Sequence, residues 1–143
     1  MLCQISREPL DLQPIVQQVR RDECGAVAVF LGVVRNESQG RRVIHLEYDA
    51  YPAMAERVLA RIAQEAASRW PVADIALCHR IGRLEIGETS LVVAVSSPHR
   101  EEALAACQYA VERIKAILPV WKKEVWEGGA EWIEGSLTMP EEA

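Results

Sequence analysis

The chain has 143 residues, 50% of them apolar and 26% charged, with a formal net charge of −5. This is the composition of one compact globular domain large enough for a real core. The acidic balance argues against nucleic-acid binding, which rewards a basic face, and no run nears the roughly 20 apolar residues that span a bilayer. The start of the chain lacks the basic region and apolar core of a signal peptide. Four cysteines (Cys3, Cys24, Cys78, Cys107) form no C-x-x-C pair and no metal-ligand spacing. The expectation is a cytoplasmic domain with reduced thiols, no metal and no cofactor.

Leu10 to Glu23 carries Leu12, Ile15, Val16 and Val19 at helical spacing. After Gly25, the run from Ala26 to Val34 is continuous and rich in β-branched residues, which predicts a central strand covered on both faces. Arg35 to Arg42 is polar and reads as a mobile loop. Val43 to Tyr51 alternates loosely and predicts a strand. Pro52 suits the first turn of a helix that runs to Trp70 with Met54, Val58, Leu59, Ile62 and Ala66 along one side.

Asp74 to Ile81 and Ser90 to Ser97 predict two strands joined by a piece containing Gly82 and Gly87. Ser97-Pro98 reads as an N-cap followed by proline at the first helical position. The helix that follows reaches Leu118, with Leu104, Cys107, Val111, Ile114 and Leu118 as its buried stripe. Val120 to Glu127 then forms a strand that turns at Gly128-Gly129 and returns through Glu131 to Ile133. The sum is a single α+β domain over 1–143, three helices packed on a mostly antiparallel sheet, with a loose tail over 135–143.

Three places hold basic residues that a purely structural pattern does not ask for. Arg35 follows a strongly apolar strand directly, where strand ends often present binding groups; a solvated charge opening a loop is the plainer account. His99 and Arg100 occupy the first turn of a helix, where free N–H groups and the helix dipole favour an anion. Two basic groups there carry a local cost that a bound phosphate would offset, although local packing would also accommodate them. Lys115 borders the apolar stripe of the same helix, either reaching to water or set up by partial burial for proton transfer.

Lys122 and Lys123 break the alternation of Val120 to Trp126 and put a cation on each face. Either these lysines protect an edge strand or the pattern has yielded to function. Arg100 and Lys115 lie about 22 Å apart along one helix, at 1.5 Å per residue. A small substrate cannot easily touch both, so two subunits are expected to share each pocket. One would give His99 and Arg100, the other Lys115 and Lys122. No nucleotide-binding glycine loop or nucleophile elbow occurs.

The set Gly32-Val-Val-Arg-Asn36, Glu47-Tyr-Asp-Ala-Tyr51 with Met54, His79-Arg-Ile-Gly82, Gly87-Glu88, Ser97-Pro-His-Arg100, Cys107, Lys115 and Pro119-Val-Trp-Lys-Lys-Glu124 resembles the molybdopterin synthase catalytic (large) subunit family over roughly residues 4 to 134. The resemblance implies an α/β-hammerhead domain forming a homodimer within a heterotetramer. A small ubiquitin-like sulfur-carrier subunit would insert its thiocarboxylated Gly-Gly tail. Sulfur would pass to cyclic pyranopterin monophosphate, and two transfers would make the molybdopterin dithiolene of molybdenum cofactor biosynthesis.

By matching position, Lys115 and Lys122 are the implied catalytic residues, and Lys123 and Glu124 line the same pocket. Arg35 with the backbone of Val33 and Val34 contacts the substrate phosphate, and His99 and Arg100 complete the anion site from the neighbouring subunit. Val33 stands where relatives often carry lysine, Asp49 replaces a glutamate or histidine, and no basic residue follows Trp132 closely. The main rival is a non-enzymatic homo-oligomeric sensor of a phosphorylated metabolite, which leaves Lys115 and the lysine-bearing strand unexplained.

Overall fold

The computed structural model describes residues 1–134, so the expected loose tail over 135–143 lies outside the described residues. The elements in order are β1 (Leu2–Ser6), α1 (Leu12–Val19), β2 (Ala26–Val33), β3 (Glu37–Ser38), β4 (Arg41–Ala50), α2 (Pro52–Arg69), β5 (Asp74–Arg80), β6 (Gly82–Glu85), β7 (Thr89–Ser97), α3 (Arg100–Ile117), β8 (Val120–Trp126) and β9 (Gly129–Glu134). The α+β expectation holds, but the strands form two sheets rather than one. The first has the order β1-β5-β7-β2; the second has the order β3-β4-β8-β9, with β6 also pairing β4. Pairing is antiparallel apart from β1 beside β5.

The first sheet is the middle layer of the fold. Leu59, Ile62 and Ala63 of α2, with Ala103, Ala110 and Ile114 of α3, pack on Ile75, Leu77, Val93 and Val95. Ile15 and Val19 of α1 cover the other face through Ala76, Cys78, Val92 and Ala94. Strands β5 and β7 are therefore buried on both faces, as their unbroken apolar runs require.

β2 is not the central strand its composition predicts; it lies at the sheet edge. Ala28 and Phe30 join the core under α2 and α3. The alternating Val29 and Leu31, with Val33, stay 40%, 39% and 51% exposed. The cause is the length of α1: its eight residues cover Val27 and reach no further along the strand. A β-branched run shows that some surface covers it, without showing that the same chain supplies that surface.

Three further expectations are corrected. Arg35 to Arg42 is not a bare loop: Glu37–Ser38 pairs with Arg41–Arg42 around Gln39 (φ 52°) and Gly40 (φ 76°). Two successive positive φ values are what a tight hairpin needs. The N-cap of α3 is His99, without a side-chain capping bond, and not Ser97. The Ser97 hydroxyl donates instead to Pro71 C=O at 2.9 Å. On α3, Leu104 is 61% exposed, and the buried stripe is Ala103, Ala106, Cys107, Ala110, Ile114 and Ile117.

Candidate functional site

α3 returns antiparallel to β7, so its last turn comes back over the start of that strand. There Tyr48 of β4, His79 of β5, Ser90 and Leu91 of β7, Ile114, Lys115 and Leu118 at the end of α3, and Val120 and Lys122 of β8 line a cavity of about 90 Å³. Register explains the two cations. Lys122 pairs with Tyr48 across β4–β8, which aims it at the cavity, while Lys115 faces it from the helix.

Lys115 keeps contact with solvent, but partial burial, and then repulsion from Lys122, lower its ammonium pKa. Burial likewise raises the Tyr48 phenol. Lys122 Nζ stands 4.0 Å from Glu124 Oε2, and Glu124 is only 6% exposed. The arrangement holds two cations close together in a partly desolvated space, where fields act more strongly than in water. It can attract an anion, stabilise developing negative charge and move a proton.

Buried His79 forms part of the same wall. Its Nδ1 lies 2.8 Å from Arg80 C=O, and its ring meets Tyr48 edge-on at 5.0 Å. Burial, joined by the charge of Lys115, pulls it down to about 4 despite the backbone bond.

The opposite end of α3 is open. Pro98, His99, Arg100 and Glu101 line a depression of about 490 Å³ with Gly25, and Arg20 and Arg21 flank Gly25 in the adjoining one. A Cβ on Gly25 would sit 3.0 Å from Pro98 C=O, so only glycine lets the chain pass this close to the helix start.

A family model described as MoaE protein matches residues 5–117. The molybdopterin synthase catalytic subunit of Halalkalibacterium halodurans is 48% identical over 93% of this chain and 85% of its own length. A crystal structure of molybdopterin synthase from Staphylococcus aureus superposes with a TM-score of 0.88 at 43% identity, covering 92% of this chain and 96% of that one. The chain belongs to the MoaE family. A solved complex of subunits 1 and 2 of the molybdopterin-converting factor from Helicobacter pylori shares the fold at TM-score 0.74, over 96% of this chain and 92% of that one, at 22% identity. Membership in the MoaE family makes the chain a sulfur-transferring enzyme, and the sensor reading finds no support.

Of the residues anticipated for a MoaE site, the structure unites Lys115 and Lys122 at one cavity. Arg35 lies at the same end of the first sheet, two residues beyond Val33, which pairs with Thr89 at the start of β7. His99 and Arg100 lie at the far end. Lys123 pairs with Glu47 on the other face of β8, with its Nζ 5.7 Å from the Trp132 ring centroid, so it does not line the cavity. Glu124 backs Lys122 from a buried position rather than lining the cavity.

The Val34 amide is already committed: its N–H donates to Glu88 C=O at 2.9 Å, and its C=O accepts from Gly87 N–H at 2.8 Å. Val34 thus anchors Arg35 instead of offering a free donor. Val33 projects an exposed side chain at a β-bulge. Site reasoning from sequence missed His79, Tyr48 and Ser90; the signal lay in the His79-Arg-Ile-Gly82 and Glu47-Tyr-Asp-Ala-Tyr51 motifs. Among the described residues no helix is long and apolar enough to cross a membrane, and no group of three or more His, Cys, Asp or Glu could hold a metal ion.

Proposed function

We propose that the chain, as one cytoplasmic domain, works as a homodimer within a heterotetramer. It takes the thiocarboxylated Gly-Gly tail of a small ubiquitin-like subunit and transfers its sulfur to cyclic pyranopterin monophosphate. The observation that carries this reading is the presence of Lys115 and Lys122 together on the wall of one narrow cavity. At about 90 Å³ the cavity suits the glycine end of an extended peptide with a water beside it, not a fused-ring pyranopterin, since ligands of that size take sites of several hundred cubic ångströms.

The pterin belongs just outside, against Arg35, with its phosphate held by the His99 and Arg100 of a second copy. The exposed stripe Val29, Leu31 and Val33 on the unpaired edge of β2 supplies a face for that copy. A two-fold axis through this edge sets the two β2 strands antiparallel. The Gly25–His99 end of one copy then meets the Arg35–Lys115 end of the other, which completes a site that one chain leaves divided.

Tail and substrate are both anionic and repel each other in water. Lys115, Lys122 and Arg35 offset that repulsion, and threading the tail makes sulfur transfer a matter of proximity. In vitro, protein mixed with thiocarboxylated small subunit and the cyclic phosphate should yield the dithiolene, read after oxidation to its fluorescent form. Lys115→Ala should still bind the small subunit but lose turnover by about 100-fold or more. Wild-type turnover by that variant would refute the assignment, and a stable complex without product from wild type would leave a scaffold.

A further inference from the structure

Resting on that reading, we propose that His79 is the proton acceptor for the water that releases the small subunit's tail after sulfur has been transferred. Once the thiocarboxylate sulfur bonds to a substrate carbon, with a carbon–oxygen bond there breaking and its electron pair left on oxygen, the tail and the pterin are joined as a thioester. Sulfur stays on the pterin only if the acyl carbon–sulfur bond breaks, and water is the co-reactant that takes the acyl group. Its oxygen bonds to the acyl carbon, and the electron pair of the broken bond remains on the pterin sulfur. One water proton passes to His79 Nε2, and the other is shed to solvent by the new carboxylic acid. Nothing is oxidised or reduced.

The geometry assigns His79 this role over its neighbours. A carbonyl only accepts, so the 2.8 Å contact with Arg80 C=O places a hydrogen on Nδ1. A neutral ring then has its lone pair on Nε2. Nε2 makes no hydrogen bond among the described residues, yet it is not a sealed orphan, as the Nδ1 of His45 is. His79 lines the cavity that Lys115 and Lys122 also line, and a water needs only a small part of that volume beside the tail. The lysines are cations that stabilise the oxyanion and the leaving sulfur; an ammonium is a poor partner for abstracting a proton. His79 supplies a neutral acceptor on the same wall. Burial first, and then the charge of Lys115, hold its pKa at about 4, and a negative charge brought alongside by the tail would oppose that shift.

His79→Asn separates this role from a structural one, because the shorter amide can still donate to Arg80 C=O but offers nothing at Nε2. Complexes with thiocarboxylated small subunit would be mixed with cyclic pyranopterin monophosphate and quenched over time. Mass spectrometry of the small subunit then follows the covalent tail–pterin adduct and the released carboxylate. The variant should bind the small subunit and form the adduct at the wild-type rate, and the adduct should decay about 10- to 100-fold more slowly. Decay at the wild-type rate, or a slowed first step with normal decay, overturns the proposal. Should His79→Asn fail to fold, His79→Gln, which reaches the Nε2 position with a far weaker base, must show the same stall, and wild-type decay there overturns it equally. Absence of both adduct and product with wild-type protein would instead refute the sulfur-transfer reading beneath it.

Discussion

The two ends of α3 carry the same kind of residue in opposite settings. At the N-terminal end, His99 and Arg100 are exposed beside an open depression, next to free helix N–H groups. At the C-terminal end, Lys115 meets Lys122 and buried His79 around a much smaller cavity with mostly buried walls, and partial burial and repulsion lower the Lys115 pKa. A wide, exposed basic surface captures an anion and exchanges it with water; a narrow one with buried walls controls protons. The helix between them is a rigid spacer of about 22 Å, so one chain keeps the two ends apart, and the proposed dimer is what would bring one of each together.

The sharpest way to break that comparison is to damage each end in a different chain. Lys115→Ala and Arg100→Ala should each be nearly inactive alone. Co-expressed, they should form mixed dimers in which one pocket of two has both residues intact, restoring about a quarter of wild-type turnover for random pairing. Tagged mixed dimers, purified away from both parental homodimers, should show about half of wild-type turnover. No recovery would mean that each chain uses its own residues, and that the open end of α3 serves something other than this pocket.

The same contrast explains what the sequence made legible. Periodicity located α1, α2 and α3 and the strands β4, β5, β7 and β8 to within a few residues, because each buries a continuous face. β1 and β6 escaped notice. Five and four residues are too short for a periodic signal, and β1 is held by partners distant in sequence, including Ile5 N–H donating to Glu56 Oε2 at 2.9 Å. β2 misled in an instructive way, since its apolar pattern records a surface that a lone chain leaves open. The cationic members of the site stood out because a charge breaks an apolar pattern. His79, Tyr48 and Ser90 did not: each is a polar residue within a regular strand, and only strand register and the return of α3 bring them together.

Acid tests the enclosed end by itself. The folded state holds His79 at about 4 against an ordinary 6.5, so as pH falls the unfolded chain takes up this proton first. The stability linked to His79 is complete above about pH 6.5 and drains away as pH falls toward 4, about 2 kcal/mol of it between pH 7 and pH 5. Denaturant unfolding of wild type and His79→Asn at both pH values, at one protein concentration, isolates this share. Wild type should lose about 2 kcal/mol more than the variant over that interval. Equal losses would mean that His79 is not desolvated, and the cavity would then be as open as the far end of the helix.

The smallest effect is expected midway along α3, where the spacer is fastened. Tyr109 O–H donates to Glu65 Oε1 at 2.8 Å, and Arg113 donates to both oxygens of the same carboxylate at 3.1 and 3.3 Å, tying α3 to α2. Tyr109→Phe removes one bond, but Arg113 keeps the carboxylate satisfied and the ring keeps its edge contact with Trp70 at 5.4 Å. The cost should be about 1 kcal/mol of stability, read by thermal or denaturant unfolding, with turnover unchanged. This separates two roles that a helix can play. If α3 only sets the distance between its ends, loosening one fastening leaves both pockets as they were. A fall in turnover larger than the loss of folded protein would mean that the seating of the helix also tunes how closely Lys115 approaches Lys122 and His79.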